Sequence, residues 1–127
     1  MITGFEEQTN PLNEYERDVL LPVILKGLRT KIGKGNAVTN KHIIQCLSPA
    51  YRINDARLRK LINHIRVNGL LPCLMATSEG YYISNSLPEL QKYVDSLKGR
   101  EDAIKAVRVS ITRQMNERFN HDNRLPL

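Results

Sequence analysis

One stretch of the chain, residues 55–67, combines an apolar stripe with side chains that hydrogen bond to nucleic acids. At 100° per residue its apolar members point one way, as on the buried side of a helix: Leu58, Leu61, Ile62 and Ile65. The other sides carry lysine, arginine, asparagine and histidine, and the stretch has no acid after Asp55. Lysine and arginine pair with phosphates and guanine edges, and asparagine pairs with adenine. We therefore interpret residues 55–67 as a candidate DNA-reading helix.

The predicted interface extends to the preceding helix and to the turn between the two helices. Thr39 is a good N-cap, and the first turn after it could donate to a phosphate, as helix starts often do. Small Ala56 would permit close approach to a groove, and Lys60 and Asn63 are expected to face solvent. Replacing those two by alanine should then leave the melting temperature nearly unchanged. The predicted DNA-binding residues are Thr39, Asn40, Lys41, Arg52, Asn54, Ala56, Arg57, Arg59, Lys60, Asn63 and His64.

The positive charge of the chain is concentrated in its middle. The net charge is +6 overall, but residues 21–72 carry ten basic residues and one acid, whereas residues 1–20 carry one basic residue and five acids. Charge of one sign gathered in one segment is typical of a protein with a polyanionic partner. A basic surface that serves only solubility would give the same charge pattern.

The elements that would position these residues follow from caps, breakers and periodicity. Asn13 and Glu16 form a capping-box pattern before a first helix, in which Pro22 predicts a kink or a restart. Residues 36–38 are expected to be extended, residues 40–47 and 55–68 helical, and residues 71–76 and 81–84 a β-hairpin. A last helix, capped by Ser86, is expected to continue to about Phe119, with Gly99 as its weak point.

Helix, short strand, helix, turn, helix and hairpin follow each other in the order of a winged helix-turn-helix. The predicted fold class is mainly α with a small β-hairpin, a winged helix-turn-helix with a long C-terminal helix. The short strand is expected to join the hairpin as a third member. The predicted divisions are an N-terminal arm (1–12), the winged domain (13–85), a C-terminal helical extension (86–120) and a tail (121–127).

Several segments carry a resemblance to a family. Residues 36–41 (Asn-Ala-Val-Thr-Asn-Lys), residues 53–66, the Asn-Gly-Leu of residues 68–70 and the Glu-Gly-Tyr-Tyr-Ile of residues 79–83 resemble small winged helix-turn-helix proteins of bacterial phages and prophages. The resemblance covers residues 36–115. It implies DNA binding, as a phage-type transcription regulator or replication accessory protein.

The C-terminal helix has a heptad-like pattern. Apolar residues occupy a and d positions at 90, 94, 97, 104, 111 and 115, with Glu101 and Arg108 filling two a positions. The helix is therefore either a lid on the winged domain or a homodimer interface.

Other classes of function find little support in the residue pattern. The histidines His42, His64 and His121 lack metal-ligand partners at suitable spacing, so no metal, cofactor or enzymatic activity is expected. Cys46 and Cys73 show no CxxC spacing and are expected to be buried thiols in a cytoplasmic protein. The longest apolar run has seven residues, and the N-terminus is acidic, so neither a membrane span nor a secretory signal is predicted.

Two functions remain open from the sequence. The first is sequence-specific binding of double-stranded DNA, with the third helix in the major groove. The alternative is a winged-helix module that binds protein and not DNA, with the long helix as its contact surface.

Overall fold

The computed structural model describes the backbone of residues 8–123 and the side chains as far as residue 120. The chain divides into two units, Met1–Leu90 and Gln91–Leu127. The fold is mainly helical, with a two-stranded antiparallel hairpin and a long C-terminal helix, which confirms this much of the predicted fold class. Residues 1–7 of the predicted arm and residues 124–127 of the predicted tail lie outside the described residues.

The first helix, α1, consists of a π-helical segment, Glu16–Leu20, followed directly by an α-helical segment, Leu21–Leu28. The predicted capping box is confirmed: the Asn13 amide donates to Glu16 Oε1 and the Glu16 amide donates to Asn13 Oδ1, both at 2.9 Å. The backbone N–H of Leu21 donates to the Glu16 carbonyl, five residues back. Pro22 has no N–H to donate, and the predicted interruption there takes the form of this change in helix type.

The next two helices begin and end where their caps predict. Helix α2, Asn40–Leu47, begins after Thr39, whose Oγ1 accepts from the His42 amide at 3.2 Å. Helix α3, Asp55–Asn68, begins after Asn54, whose Oδ1 accepts from the Arg57 amide at 2.9 Å. Gly69 ends α3 at φ +64°, the left-handed conformation that glycine adopts without steric cost.

The hairpin consists of β1, Leu74–Thr77, and β2, Gly80–Ile83, so β1 begins three residues later than predicted. The register pairs Leu74 with Ile83 and Thr77 with Gly80. Of the residues predicted to be extended, 36–38, Ala37 and Val38 are extended, whereas Asn36 belongs to a 3-10 turn, Lys34–Asn36. Within the described chain, single bridges of Val38 to Tyr81 and of Ile32 to Ile83 take the place of a third strand.

The core lies between α1, α3 and the hairpin. The apolar stripe predicted for α3 is confirmed, since its four members are at most 3% exposed. The buried side chains of the cluster are aliphatic except for one tyrosine and comprise Leu20, Ile24, Leu28, Leu58, Leu61, Ile62, Ile65, Leu71, Leu74 and Tyr81.

The C-terminal helix, α4, spans Leu87–Asn123 without interruption. The predicted continuation through Gly99 is confirmed, and the helix extends a few residues beyond the end predicted near Phe119. Its first turn is held to the hairpin, because Tyr82 Oη donates to Glu89 Oε2 at 3.0 Å and the Ser84 hydroxyl donates to Glu89 Oε1. None of the helices in residues 8–123 combines the length and apolar character needed to cross a membrane.

Gly80 is the position where the hairpin depends on the absence of a side chain. Its φ is +119°, and a Cβ atom there would lie 2.4 Å from the Val38 carbonyl oxygen. We predict that Gly80→Ala lowers the free energy of unfolding by about 2 kcal/mol, from backbone strain and loss of the Val38–Tyr81 bridge. Urea denaturation measures this change.

Gly27→Ala is the matched control, because Gly27 lies in α1 with no atom within 4 Å of an added Cβ. Alanine there should stabilise the helix by up to about 1 kcal/mol. Equal effects of the two substitutions would contradict the close approach at Gly80.

Candidate nucleic-acid interface

One side of α3 is joined to α1 through a buried carboxylate. The Glu16 side chain is 4% exposed, and its Oε1 accepts from Lys60 Nζ at 2.7 Å while its Oε2 accepts from Arg57 Nε at 3.1 Å. Glu16 Oε1 also accepts from the Asn13 amide at the N-terminal end of α1. One carboxylate therefore caps α1 and holds it against α3. The Lys60 side chain is only 15% exposed, so the solvent-facing placement predicted for it is wrong.

The hydrogen bonds to Glu16 lower its pKa. Burial alone would raise the pKa of this carboxyl, but the hydrogen bonds from Lys60, from the Asn13 amide and from Arg57 outweigh burial and bring the pKa below its ordinary value of 4.5. Glu16 is therefore ionised at neutral pH, and its charge holds the two cations of α3.

The N-terminal end of the described chain reaches the middle of α3. Asn63 Nδ2 donates to the backbone carbonyl of Gln8 at 3.2 Å. Asn10 and Glu16 line a small cleft together with Ala56, Arg57 and Lys60. Asn63 and Ala56 are half-buried, so this side of α3 faces residues 8–16 of the same chain.

The turn before α3 also contacts Tyr15, the residue that directly precedes α1. The Arg52 guanidinium lies 4.7 Å from the centre of the Tyr15 ring. The backbone N–H of Arg52 donates to Tyr15 Oη at 2.9 Å. Arg57 lies 5.4 Å from the same ring and donates through Nη1 to the Arg52 carbonyl at 2.9 Å. Sequence reasoning missed Tyr15, since nothing in its local pattern indicates a partner 37 residues away.

Two of the predicted residues, one on the hairpin side of α3 and one at the start of α2, are exposed. Arg59 and Lys41 are exposed and have no hydrogen bond or ion pair with a described residue. Asn40 is half-buried at the start of α2, and its Oδ1 accepts from the Tyr81 hydroxyl. We call the surface formed by Thr39, Asn40, Lys41, Arg59 and Arg66 the α2–α3 surface.

The electrostatics of Tyr81 connect the start of α2 with the arginines of α3. Burial raises the pKa of the Tyr81 hydroxyl, and the nearby positive charges of Arg59 and Arg66 partly offset that rise. Tyr81 also donates to Asn40, so its hydroxyl contacts the start of α2 and lies within the influence of the two arginines of α3. A cleft of about 250 Å³ opens beside it, lined by Thr39, Asn40 and residues of the hairpin.

The hairpin tip contributes little free charge. Glu79, the acid at the tip, pairs with Lys34 Nζ at 3.4 Å. Hydrogen bonds from Thr77 and its neighbours, together with Lys34, hold the pKa of Glu79 below its ordinary value. The last predicted residue, His64, is half-buried, and its carbonyl accepts from the Asn68 side chain at 2.9 Å.

Both cysteines are exposed, so the predicted burial of the two thiols is wrong. Cys46 Sγ lies 3.5 Å from His42 Nε2, a neighbour that the i, i+4 spacing in α2 provides. Both side chains line a cavity of about 360 Å³ between α1 and α2, together with mostly aliphatic residues. Among the described residues, no three histidine, cysteine or acidic side chains are grouped as a metal site would require.

No family model, curated protein or solved structure matches the chain. The candidate interface is therefore assigned from its own geometry and charge.

Glu16→Gln tests the buried ion pair. Removing the charge leaves Lys60 and Arg57 without their partner, so we predict a loss of about 3 kcal/mol in the free energy of unfolding at pH 7. Because the folded-state pKa is lowered, the contribution of ionised Glu16 is complete above the unfolded value of 4.5 and is lost as the pH falls through the folded value. Urea denaturation of both proteins at a series of pH values measures this difference.

Asp18→Asn is the control, since Asp18 pairs with Arg17 on an exposed surface where ion pairs contribute little. It should leave stability close to that of the wild type. A difference between Glu16→Gln and wild type that stays constant down to low pH would contradict the lowered pKa.

Proposed function

We propose that the chain is a winged helix-turn-helix protein that binds double-stranded DNA in a sequence-specific manner through the α2–α3 surface. The observation that carries the proposal is the position of Arg59: exposed on α3, beside the start of α2, and without an acidic partner among the described residues. The order of the three helices and the hairpin, and the bridge from Val38 to Tyr81, support the winged assignment.

The burial pattern favours the hairpin side of α3 as the side that enters the major groove. Lys60 and Arg57 are held by Glu16, and Asn63 donates to the Gln8 carbonyl, so three of the predicted contacts are already engaged within the protein. Arg59 keeps its guanidinium free for bidentate hydrogen bonds to guanine, the commonest specific contact in that groove.

The start of α2 is suited to hold the phosphate backbone. Thr39 uses its hydroxyl for the cap, and the remaining first-turn N–H groups and the exposed Lys41 can donate to one phosphate. Contacts of this kind set the register of a protein on the duplex, whereas base contacts such as that proposed for Arg59 set its sequence preference.

The proposal includes a role as a phage-type transcription regulator or replication accessory protein, and a homodimer formed through α4. A symmetric dimer predicts a two-fold symmetric site with half-sites separated by whole helical turns. The exposed apolar residues of α4 also favour a second candidate function, a protein-interaction module without DNA binding.

Selection from random duplexes, followed by fluorescence anisotropy on the enriched site, tests DNA binding. We predict that Arg59→Ala weakens binding to the selected site by about 1–3 kcal/mol and relaxes the preference at one base pair. Lys41→Ala should weaken selected and random duplexes alike and reduce the slope of log K against log salt by about 1.

Arg113→Ala is the matched control, because it removes the same charge from an exposed position on α4. It should change neither the base preference nor the salt slope. Absence of duplex binding at about 50 mM salt would overturn the proposal and favour the protein-interaction module.

A further inference from the structure

Helix α4 carries a stripe of exposed apolar side chains along one side. Large apolar residues occupy a and d positions of successive heptads, except at positions 101 and 108. After the first turn of α4 they are 38–66% exposed: Val94, Leu97, Ile104, Ile111 and Met115. A helix of this length is about 55 Å long at 1.5 Å per residue. Helices in water are stabilised mainly by packing an apolar face, and a patch of this extent marks an association surface.

Two charged residues lie within this stripe, Glu101 and Arg108, one heptad apart. Neither side chain has a hydrogen bond or ion pair with a described residue. Elsewhere on α4, charged residues pair along the helix, as Lys98 does with Asp102 at 2.9 Å and Arg113 with Glu117 at 3.9 Å. Glu101 and Arg108 are about 10.5 Å apart along their own helix, so they cannot pair within it.

These two charges favour a second copy of α4 as the partner of the stripe, in antiparallel orientation. In a parallel pair of copies, each a position faces itself, so glutamate would face glutamate and arginine would face arginine in successive core layers. In an antiparallel pair centred near Ile104, with a positions packed against d positions, Glu101 of one copy comes within about 4.5–6 Å, along the axis, of Arg108 of the other. Two such opposite-charge contacts form in each dimer.

We propose that α4 covers its apolar stripe with a second copy of itself in antiparallel orientation, fixed by reciprocal Glu101–Arg108 pairs. The apolar residues supply the association, and the two charges disfavour the parallel arrangement. This inference rests on the homodimer included in the proposed function and is independent of DNA binding.

Charge exchange in the full chain tests the orientation. Glu101→Arg places two arginines opposite each other in the antiparallel dimer, and Arg108→Glu places two glutamates there. We expect each substitution to raise the dimer dissociation constant at least about tenfold. The double variant Glu101→Arg/Arg108→Glu restores opposite charges and should return the constant to within about threefold of the wild type.

The measurement is sedimentation equilibrium without DNA, in a reducing buffer because both cysteines are exposed. Arg113→Glu is the matched control: it makes the same charge change at an exposed position on the opposite side of the helix, and it should leave association unchanged. Circular dichroism checks that each variant keeps its helix content.

Three results would overturn the inference: a wild-type chain that stays monomeric, single exchanges without effect, or a double variant as weak as the single ones. The second result is expected of a parallel dimer, because like charges face each other there in the wild type and in every variant. Failure of DNA binding leaves this test unaffected, because Arg59 is outside α4 and Arg59→Ala should dimerise like the wild type.

Discussion

The position of α1 against α3 is constrained by one buried carboxylate. Glu16 accepts from the Asn13 amide at the start of α1 and from Lys60 and Arg57 on α3, with the Glu16 side chain almost fully withdrawn from water. An ion that is removed from water must be compensated by close hydrogen bonds, so these contacts leave little freedom in the position of α1 against α3. The aliphatic core packs around that constraint.

The same contacts decide how much of the positive charge is free. The sequence segment 21–72 has a large excess of bases, and the segment before it has an excess of acids. Folding joins the two, since Glu16 from the acidic segment holds two cations of the basic one. The free positive charge is therefore smaller than the composition indicates, and the exposed Arg59 and Lys41 lie on the hairpin side of α3 and at the start of α2.

The long helix α4 follows a different principle. Its described residues from Gln91 onward form a unit of their own, and the large apolar side chains on it remain exposed. The local pairs Lys98–Asp102 and Arg113–Glu117 stabilise the helix outside its apolar stripe. Each such pair contributes only about 0.2–0.5 kcal/mol. The apolar stripe is the part of the helix that association would stabilise.

The sequence by itself determined the features that depend on near neighbours. The caps at Asn13, Thr39 and Asn54, the end of α3 at Gly69 and the apolar stripe of α3 follow from spacing within a few residues, and all are present. The continuity of α4 past Gly99 follows the helical register predicted for it, because a single glycine costs a helix only about 1 kcal/mol and its neighbours can outweigh that cost.

Only the tertiary structure decided which basic residues are free. Lys60 and Arg59 are adjacent in sequence and similar in chemistry, yet one is held by an acid 44 residues earlier and the other is exposed. The hairpin likewise receives single bridges from Ile32 and Val38 where a third strand was predicted. Contacts between residues this far apart in sequence depend on how the helices pack. The periodicity of one helix specifies its buried side, but it does not specify which segments of the chain pack against its other sides.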